Sequence, residues 1–310
     1  MTTLVCGSLA FDTIMVFPDQ FKKLILPDQI HILNVSYMVP DMRREYGGTA
    51  GNIAYNLKLL GEECHLMATV GHDFGPYEER LEGLSISSRH VLTLEDQFTA
   101  QAFITTDIDD NQIIAFHPGA MSFSHRNLVA DAEDVTLGIV SPDGRQGMIE
   151  HARDLAAAGI RHVFDPGQGL PMFSGPELLE LMAGAAALTV NDYEARVVEQ
   201  KTGKDMAELA AMMEAVVVTR GAEGSTVLTG GRRIDVPAVK AESAVDPTGC
   251  GDAYRAGLLY GMARGWSWEK SARLASLMGS LKIAHRGGQN HRPSREDIGR
   301  RFHDAFAETL

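Results

Sequence analysis

Short apolar segments alternate with helical segments along most of the chain, and this alternation constrains the fold more than any other feature. Helical patterns such as 147–159 and 206–214 separate the apolar segments. Because the apolar segments are almost uninterrupted, they indicate strands buried on both faces, as in a parallel sheet covered by helices. We therefore predict an α/β fold with a doubly wound, mostly parallel sheet. Its predicted strands are 3–6, 64–71, 137–143, 160–167, 186–192 and 215–221.

Two segments break this alternation and predict a second, smaller sheet. Residues 30–39 partly alternate polar and apolar side chains, and residues 101–116 indicate two strands around a turn at 109–111. A β edge of the main sheet would explain both segments as well. We expect residues 1–310 to form one unit with a large α/β domain and a small β-sheet lid. The large domain covers about 1–11, 47–96 and 118–310, and the lid about 12–46 and 97–117.

The charge and the cysteine content exclude several classes of protein. The formal net charge is −13, which argues against nucleic acid or an anionic membrane as the main partner. It does not exclude a phosphate-bearing ligand, because backbone amides and a metal ion can supply a local positive field. The three cysteines do not suggest a disulfide framework, so we expect a reducing, cytoplasmic location. We expect neither a signal peptide nor a membrane span.

The sequence DPTGCGDA at 246–253 is the strongest candidate for a catalytic site. Gly249, Cys250 and Gly251 lack bulky side chains, so a loop there exposes backbone N–H groups, and a helix start adds a partial positive charge. Such a helix start can bind an anion, and Asp252 beside it can accept a proton from a hydroxyl. Phosphoryl transfer to an alcohol needs this combination. A tight turn capped by Asp252 would give the same pattern.

Two further motifs suggest contacts to a sugar and to a metal ion. In YGGTAGN, the pair Gly47-Gly48 lets the backbone approach a ligand, and Asn52 can hydrogen-bond sugar hydroxyls. A glycine turn with Asn52 as a helix cap is the alternative. In NDYE, Asn191 and Glu194 lie one helical turn apart and could reach one hydrated Mg²⁺. A capping box is the alternative there.

The motif VTRGAEGS at 218–225 is a strand that runs into a glycine turn. Thr219, Gly221 and Gly224 in this motif suit the base and ribose of a nucleotide. The chain lacks the G-x-x-x-x-G-K-[ST] loop, and no G-x-G-x-x-G follows its first strand, which argues against a P-loop hydrolase or a dinucleotide oxidoreductase. No cluster of cysteine and histidine has zinc-binding spacing.

Four motifs in this order, GGTAGN, NDYE, VTRGAEG and DPTGCGDA, resemble the ribokinase-like (PfkB) family of sugar and nucleoside kinases. The resemblance covers nearly the whole chain and includes Gly61 and Gly71 after the first motif. It implies transfer of the γ-phosphoryl group of ATP to a primary alcohol, with Asp252 as the base and the amides of 249–251 as the anion hole. Cys250 departs from the usual alanine, but only its backbone N–H is needed.

The same resemblance implies two cations. Mg²⁺ is expected near Asn191 and Glu194, bound through water. A monovalent cation, often K⁺ in this family, is expected on carbonyl groups near Asp246, Thr248 and the 284–288 loop.

Within the family, stretches such as 26–39 and 165–170 are most similar to bacterial adenosine kinases. This similarity implies phosphorylation of the 5′-hydroxyl of a purine nucleoside, with adenosine converted to AMP. Asp12 is expected to hold the 2′- and 3′-hydroxyls. Phe103 and Phe116 are expected to pack against the purine, unless they only form the core of the small sheet. The implied substrate-binding residues are Ser8, Asp12, Ser36, Gly48, Asn52, Phe103, Phe116 and Gln168.

The resemblance also implies a homodimer in which two lids meet edge to edge and Ser36 approaches the site of the partner subunit. The many apolar residues of 21–40 support such a contact, because a segment this thin cannot bury two faces by itself. A lid that closes over its own ligand in a monomer is the alternative.

Two other functions stay open beside a nucleoside kinase. One is a kinase for a free sugar such as ribose or fructose. The other is a nucleoside-binding sensor without chemistry, against which the intact Asp252 and NDYE argue. A phosphosugar substrate is less expected, because the lid sequence offers few basic residues for a substrate phosphate, among them the pair Arg43 and Arg44. The sequence leaves adenosine, guanosine and inosine open as substrates, and ATP or GTP as donor.

Overall fold

The computed structural model of the chain describes residues 2–25 and 34–310. In chain order its strands are β1 (Thr2–Cys6), β2 (Ala10–Val16), β3 (Asp41–Gly47), β4 (Cys64–Gly71), β5 (Val91–Leu94), β6 (Ala100–Thr106), β7 (Gln112–His117), β8 (Val135–Val140), β9 (Arg161–Phe164), β10 (Ala187–Asn191), β11 (Ala215–Thr219), β12 (Ser225–Thr229) and β13 (Arg232–Val236). Its α-helices are α1 (Thr49–Leu59), α2 (Gly75–Gly83), α3 (Arg145–Ala157), α4 (Gly175–Gly184), α5 (Asp192–Thr202), α6 (Met206–Ala210), α7 (Cys250–Ala263), α8 (Trp268–Ile283) and α9 (Arg295–Phe306).

The main sheet has the strand order β13-β12-β11-β10-β9-β8-β1-β4-β5. All neighbours from β5 to β11 are parallel, whereas β12 and β13 add an antiparallel hairpin at one edge. The predicted doubly wound, mostly parallel sheet is therefore confirmed. The sequence prediction missed the hairpin, in which β13 carries the exposed charged residues Arg232, Arg233 and Asp235.

Both faces of the main sheet are buried, as the uninterrupted apolar segments predicted. In β1, Val5 packs into one hydrophobic cluster with α1 and α7, while Leu4 and Cys6 pack into another with α3 and α4. All three side chains are almost completely buried, and burial of each such side chain contributes about 1.5–3 kcal/mol. In the part of the chain that the structure describes, no helix has the length and apolar character needed to cross a membrane.

The small sheet has the strand order β3-β2-β6-β7. The pairs β2–β3 and β6–β7 are antiparallel, and β2–β6 is parallel. The turn between β6 and β7 contains Asp110, which has a positive φ of 60°. Side chains in register on neighbouring strands share a face of the sheet, so this register decides which lid residues can reach one ligand.

The prediction of a strand at 30–39 is wrong for residues 34–39, the part of this segment that the structure describes. Residues 30–33 lie outside the described residues, and 34–40 have no regular secondary structure. The strand that pairs with β2 on the side opposite β6 is β3, which follows directly after Pro40. Its sequence DMRREYG is too polar to give an apolar pattern. Its backbone is fixed instead by the ladder that it forms with β2.

Candidate active site

The candidate site lies where the carboxyl ends of the parallel strands meet the start of α7, the usual ligand position in open α/β sheets. The loop after β1 carries Ser8, and Asp165 follows β9. Asn191 and Thr219 end β10 and β11 and are direct neighbours in the register of these strands. The small sheet brings Asp12 to the same region, because β2 follows β1 after three residues.

The start of α7 has the geometry that an anion site requires. Gly249 is the N-cap residue and adopts a left-handed conformation with φ 77°, which glycine adopts at little cost. Cys250 and Gly251 then form the first turn, so their N–H groups have no partner inside the helix. The positive end of the helix dipole points in the same direction. The Cys250 N–H, however, donates to the carbonyl of Pro247 at 3.1 Å in the turn before α7. The anion hole expected at 249–251 therefore stays a prediction.

Asp252 lies in the first turn of α7 and contacts YGGTAGN, the first glycine motif of the chain. The side-chain amide of Asn52, in α1, donates a hydrogen bond of 2.8 Å to Asp252 Oδ2. Burial raises the pKa of Asp252 to about 6, with Asp165 and Asp12 acting in the same direction and Asn52 and Arg255 opposing them. A carboxylate with a pKa close to neutral can both accept and release a proton efficiently.

A buried ion pair fixes α7 to the end of β9. Arg255 donates from Nε to Asp165 Oδ2 at 2.6 Å and from Nη2 to Asp165 Oδ1 at 2.8 Å. Both side chains are at least nine-tenths buried. Arg255 also donates to the carbonyl of Gly251. The sequence analysis missed the role of Arg255, although its position three residues after Asp252 puts both side chains on one helix face.

Asp12 lies on the small sheet against the first glycine motif. A Cβ atom added to Gly47 would lie 2.5 Å from Asp12 Oδ2, so the carboxylate can occupy this position only because residue 47 is glycine. Gly48 is the N-cap residue of α1. Burial, with Glu45 and Asp246 as further causes, raises the pKa of Asp12 to about 6. Asp12 is one of the charges that raise the pKa of Asp252, so the two carboxyl groups act on the same region of the site, which favours ligands that donate hydrogen bonds.

The two phenylalanines predicted to hold a purine lie on opposite faces of the small sheet. Asp12, Ala102 and Phe116 are in register on neighbouring strands, and Phe103 is the residue after Ala102. Because side chains alternate along a strand, only Phe116 shares the face of Asp12. One sheet surface cannot offer both rings to the same base. Phe103 and Phe116 are 39% and 52% exposed, so neither is simply part of the core.

The side chain of Asn52 is held by the loop that follows α8. Gln289 Nε2 donates to Asn52 Oδ1 at 3.2 Å and to the hydroxyl of Tyr77 at 2.7 Å. A Cβ atom on Gly288 would lie 2.3 Å from Asn52 Oδ1, which shows how closely this loop approaches. The amide of Asn52 is therefore oriented with its nitrogen toward Asp252. Gln289 carries no recognisable motif, so the sequence analysis did not identify it.

Asn191 and Glu194 form a capping box at the start of α5. Asn191 Oδ1 accepts the N–H of Glu194, and Glu194 Oε2 accepts the N–H of Asn191, each at 2.8 Å. The alternative that the sequence left open is therefore present. These contacts use one oxygen of each side chain. Burial, with Asp165 among the further causes, raises the pKa of Glu194. In the described part of the chain, no group of three or more acidic, histidine or cysteine side chains could hold a metal ion together.

The carbonyl groups expected to bind a monovalent cation contact a lysine. Lys282 Nζ donates to the carbonyl of Asp246 at 2.7 Å and to that of His285 at 3.0 Å. The carboxylate of Asp246 accepts the N–H groups of Thr248 and Gly287. These oxygen atoms therefore do not fit the K⁺ ion expected near Asp246 and Thr248, because the ammonium group of Lys282 already donates to the carbonyls of Asp246 and His285.

The other predicted residues differ in their burial and backbone conformation. Ser8 is buried and accepts the N–H of Thr49. Ser36 and Gln168 are exposed. Thr219 and Gly221 lie at the end of β11 and beyond it, and Gly224 has a positive φ of 86°. A cavity of about 770 Å³ lies between the 237–242 segment, α8 and α9, and its lining includes Ala284 and His285. It does not include Ser8, Ser36, Gln168, Thr219, Gly221 or Gly224.

The chain is similar to several known proteins in sequence and in fold. A family model described as pfkB family carbohydrate kinase matches residues 14–295. The nucleoside kinase of Methanothermobacter thermautotrophicus is 33% identical over 299 residues, covering 94% of this chain and 95% of the relative. The structure of Burkholderia thailandensis nucleoside kinase in complex with inosine has a TM-score of 0.90 at 50% identity and covers 99% of both chains. The same enzyme in complex with ADP-inosine has a TM-score of 0.88 at 51% identity, covering 99% and 97%.

The family model spans most of the chain, and the fold agrees over nearly its whole length. Its range also includes the glycine motif before α1 and the anion site at the start of α7. The chain therefore belongs to the pfkB family of carbohydrate kinases, which are phosphotransferases.

Proposed function

We propose that this protein transfers the γ-phosphoryl group of ATP to the 5′-hydroxyl of a purine nucleoside. The observation that carries this proposal is the hydrogen bond between Asn52 and Asp252. It joins the sugar-binding motif to the anion site across 200 residues of sequence. A hydroxyl between Asp12 and Asp252 would then lie beside both the base and the amides at the start of α7.

The proposed chemistry uses Asp252 as the proton acceptor. Its carboxylate takes the proton of the 5′-hydroxyl as the hydroxyl oxygen forms a bond to the γ-phosphorus, and the bond to the leaving ADP breaks. The N–H groups of Gly249, Cys250 and Gly251 hold the oxygens of the transferred group and stabilise their developing charge. The pKa of the Cys250 thiol is raised to about 11 by burial, so the thiol stays protonated and takes no part.

ATP is the proposed donor, with its base and ribose near Thr219, Gly221 and Gly224. The ADP-inosine complex of the Burkholderia thailandensis enzyme supports a site that holds both a nucleotide and a nucleoside. Mg²⁺, when bound, would screen the phosphate charge. Glu194 would hold the water ligands of Mg²⁺ with the carboxylate oxygen that takes no part in the capping box, and Asn191 would support Glu194.

The nucleoside is proposed to bind between the two glycine motifs and the small sheet. Asp12 accepts hydrogen bonds from the 2′- and 3′-hydroxyls, Asn52 contacts the ribose and Phe116 packs on the purine. Adenosine is the substrate that the sequence favours. The inosine complex of the Burkholderia thailandensis enzyme supports inosine as the alternative substrate.

The small sheet is also proposed to join two subunits. Its face opposite Asp12 exposes Met42, Phe103 and Ile113. An exposed apolar face of this kind is typical of an interface, and the edges of β3 and β7 could pair as well. The predicted approach of Ser36 to the partner subunit's site belongs to this proposal.

The three free cysteines support the expected reducing, cytoplasmic location.

The decisive experiment is a turnover screen of the purified protein with ATP and Mg²⁺. Adenosine, inosine, guanosine, ribose and fructose are compared by ADP release. We expect phosphorylation of at least one purine nucleoside and none of the free sugars. An Asp12→Ala variant should lose affinity for the nucleoside, because each hydrogen bond to a charged group contributes about 1.5–3 kcal/mol. Turnover of ribose or fructose but of no nucleoside would contradict the proposal.

A 2′-deoxynucleoside provides the matching test of the ribose contacts. It lacks one of the two hydroxyls that Asp12 is proposed to hold, so it should be a poor substrate of the wild type. In the Asp12→Ala variant the difference between the ribo- and deoxyribonucleoside should almost disappear. Equal efficiency of both nucleosides with the wild type would exclude the assigned role of Asp12.

A further inference from the structure

Lys282 is an unusual residue for its position in the fold. It lies in the last turn of α8, and its side chain is completely buried. A buried ammonium group is unfavourable unless it is paired or hydrogen-bonded. Burial lowers the pKa of Lys282, while the nearby carboxylates of Asp246 and Asp252 act in the opposite direction.

The partners of Lys282 are backbone carbonyl groups from two loops. The carbonyl of Asp246 belongs to the loop directly before α7, and that of His285 belongs to the loop directly after α8. Distances of 2.7 and 3.0 Å are normal for a lysine donating to a carbonyl oxygen. Carbonyl oxygens are also the ligands with which proteins bind K⁺. The same oxygens cannot hold a second cation close to the first without strong repulsion.

Lys282 thereby connects the two loops that shape the anion site. The loop before α7 leads within three residues from Asp246 to Gly249. The loop after α8 contains Gly288, whose Cα would lie 3.1 Å from a Cβ atom on Gly249. The N–H of Gly287 donates to the carboxylate of Asp246, which is a second contact between these two loops. A fixed positive charge at this position holds the amides of α7 in place.

We infer that the ammonium group of Lys282 takes the place of a monovalent cation, so that phosphoryl transfer by this protein does not depend on K⁺. This inference rests on the proposed kinase function. Lys282 is a positioning residue in this account, because it contacts the backbone of the anion-site loop and not the substrate. Its removal should open a cation site on the carbonyls of Asp246 and His285.

The test compares KCl, NaCl and tetramethylammonium chloride at equal ionic strength. Wild-type turnover should be the same in all three salts, and so should its thermal midpoint. A Lys282→Ala variant should be slow in tetramethylammonium chloride and should be restored by KCl in a saturable way. KCl should also raise the thermal midpoint of this variant above its value in tetramethylammonium chloride. Lys282→Met, which keeps the apolar stem, replaces Lys282→Ala if the latter does not fold.

Lys201 offers a matched control, because its ammonium group also donates to backbone carbonyls, those of Leu170 and Phe173. It lies near the far end of α5, so Lys201→Ala should acquire no dependence of turnover on K⁺. Saturable activation of the wild type by KCl would overturn the inference. So would a Lys282 variant that is as fast as wild type in tetramethylammonium chloride, or one that is equally inactive in all three salts.

The thermal measurement needs no turnover and therefore separates this inference from the proposed function. If no nucleoside is phosphorylated, a KCl-dependent rise in the thermal midpoint of the Lys282 variant still supports the exchange of ammonium for K⁺. The wild type is the control, because its thermal midpoint should not respond to KCl. A rise of its thermal midpoint that is specific for KCl would show that K⁺ binds despite Lys282.

Discussion

The carboxylate of Asp252 is the group on which the proposed transfer depends most. Asp252→Asn keeps the size of the side chain, and its amide can still hydrogen-bond Asn52, so the fold should persist. Loss of a general base lowers a rate by about 10²–10⁴. We expect kcat to fall by this factor, while calorimetry shows nucleoside binding close to that of the wild type.

Glu177 provides the control for this substitution. It is also an acidic residue in the first turn of a helix, α4, and it is part of a capping box there. Glu177→Gln should leave kcat unchanged within error. An Asp252→Asn variant that turns over near the wild-type rate would show that another group accepts the proton.

The raised pKa of Asp252 predicts the pH dependence of the reaction. The carboxylate must be ionised to accept a proton, and its pKa is about 6. The rate constant kcat/KM should therefore fall as the pH decreases through about 6. The pKa of Asp12 is also raised to about 6, so the decline should be steeper than that of a single group. A profile that stays flat down to the ordinary aspartate value of 3.8 would contradict both assignments.

At this scale, the residues that the sequence analysis could identify are those that belong to motifs. Asp252 and Asn52 lie in recognisable glycine-rich segments, and the structure brings them into contact. Lys282 and Gln289 could not be identified in this way, because each acts through backbone or side-chain partners that are distant in sequence. In the sequence, Lys282 resembles an ordinary basic residue at a helix end.

The ion pair of Arg255 and Asp165 is the contact that matters most at the scale of elements. It joins α7 to the end of β9 and leaves no solvent around either charge. Arg255→Met would leave Asp165 buried without its partner, which costs about 3–5 kcal/mol. We expect a matching loss in the free energy of unfolding measured with urea.

A double variant separates stability from alignment of the helix. Arg255→Met with Asp165→Leu replaces the pair by apolar side chains, which is often neutral for stability. This variant should recover most of the lost free energy of unfolding, but kcat should stay low because α7 is no longer fixed by the fork of two hydrogen bonds. A single Arg255→Met variant as stable as the wild type would contradict this view.

The predicted elements were most reliable where burial fixes the pattern. The strands β1, β4, β8, β9, β10 and β11 have buried apolar sequences, and all of them were predicted. The strands β3 and β13 are polar and lie at sheet edges, where hydrogen bonds to one neighbour determine the conformation. An apolar pattern cannot reveal such strands. The apolar pattern also could not show that Phe103 and Phe116 lie on opposite faces of the small sheet, because this depends on the register between β6 and β7.

At the scale of the whole molecule, we expect a dimer formed through the small sheet. Ile113→Lys places a charge on the face that exposes Met42 and Phe103, and it should convert the dimer to a monomer. Light scattering at micromolar concentration should then give a mass near 33.7 kDa instead of twice that value. Leu128→Lys, at an exposed position outside the small sheet, should leave the dimer intact. A wild-type mass near 33.7 kDa, unchanged by nucleoside, would exclude the dimer.

The position of β1 in the main sheet has a consequence for the order of events during synthesis. This strand is made before both of its neighbours, β4 and β8, so it has only one partner strand until about residue 140 has been made. Asp252, the proposed base, is made later still, and its contact with Asn52 spans 200 residues. Contacts between such distant parts of a chain slow folding. A nascent chain therefore contains Asn52 long before it contains Asp252, and the proposed activity has to wait for the synthesis of α7.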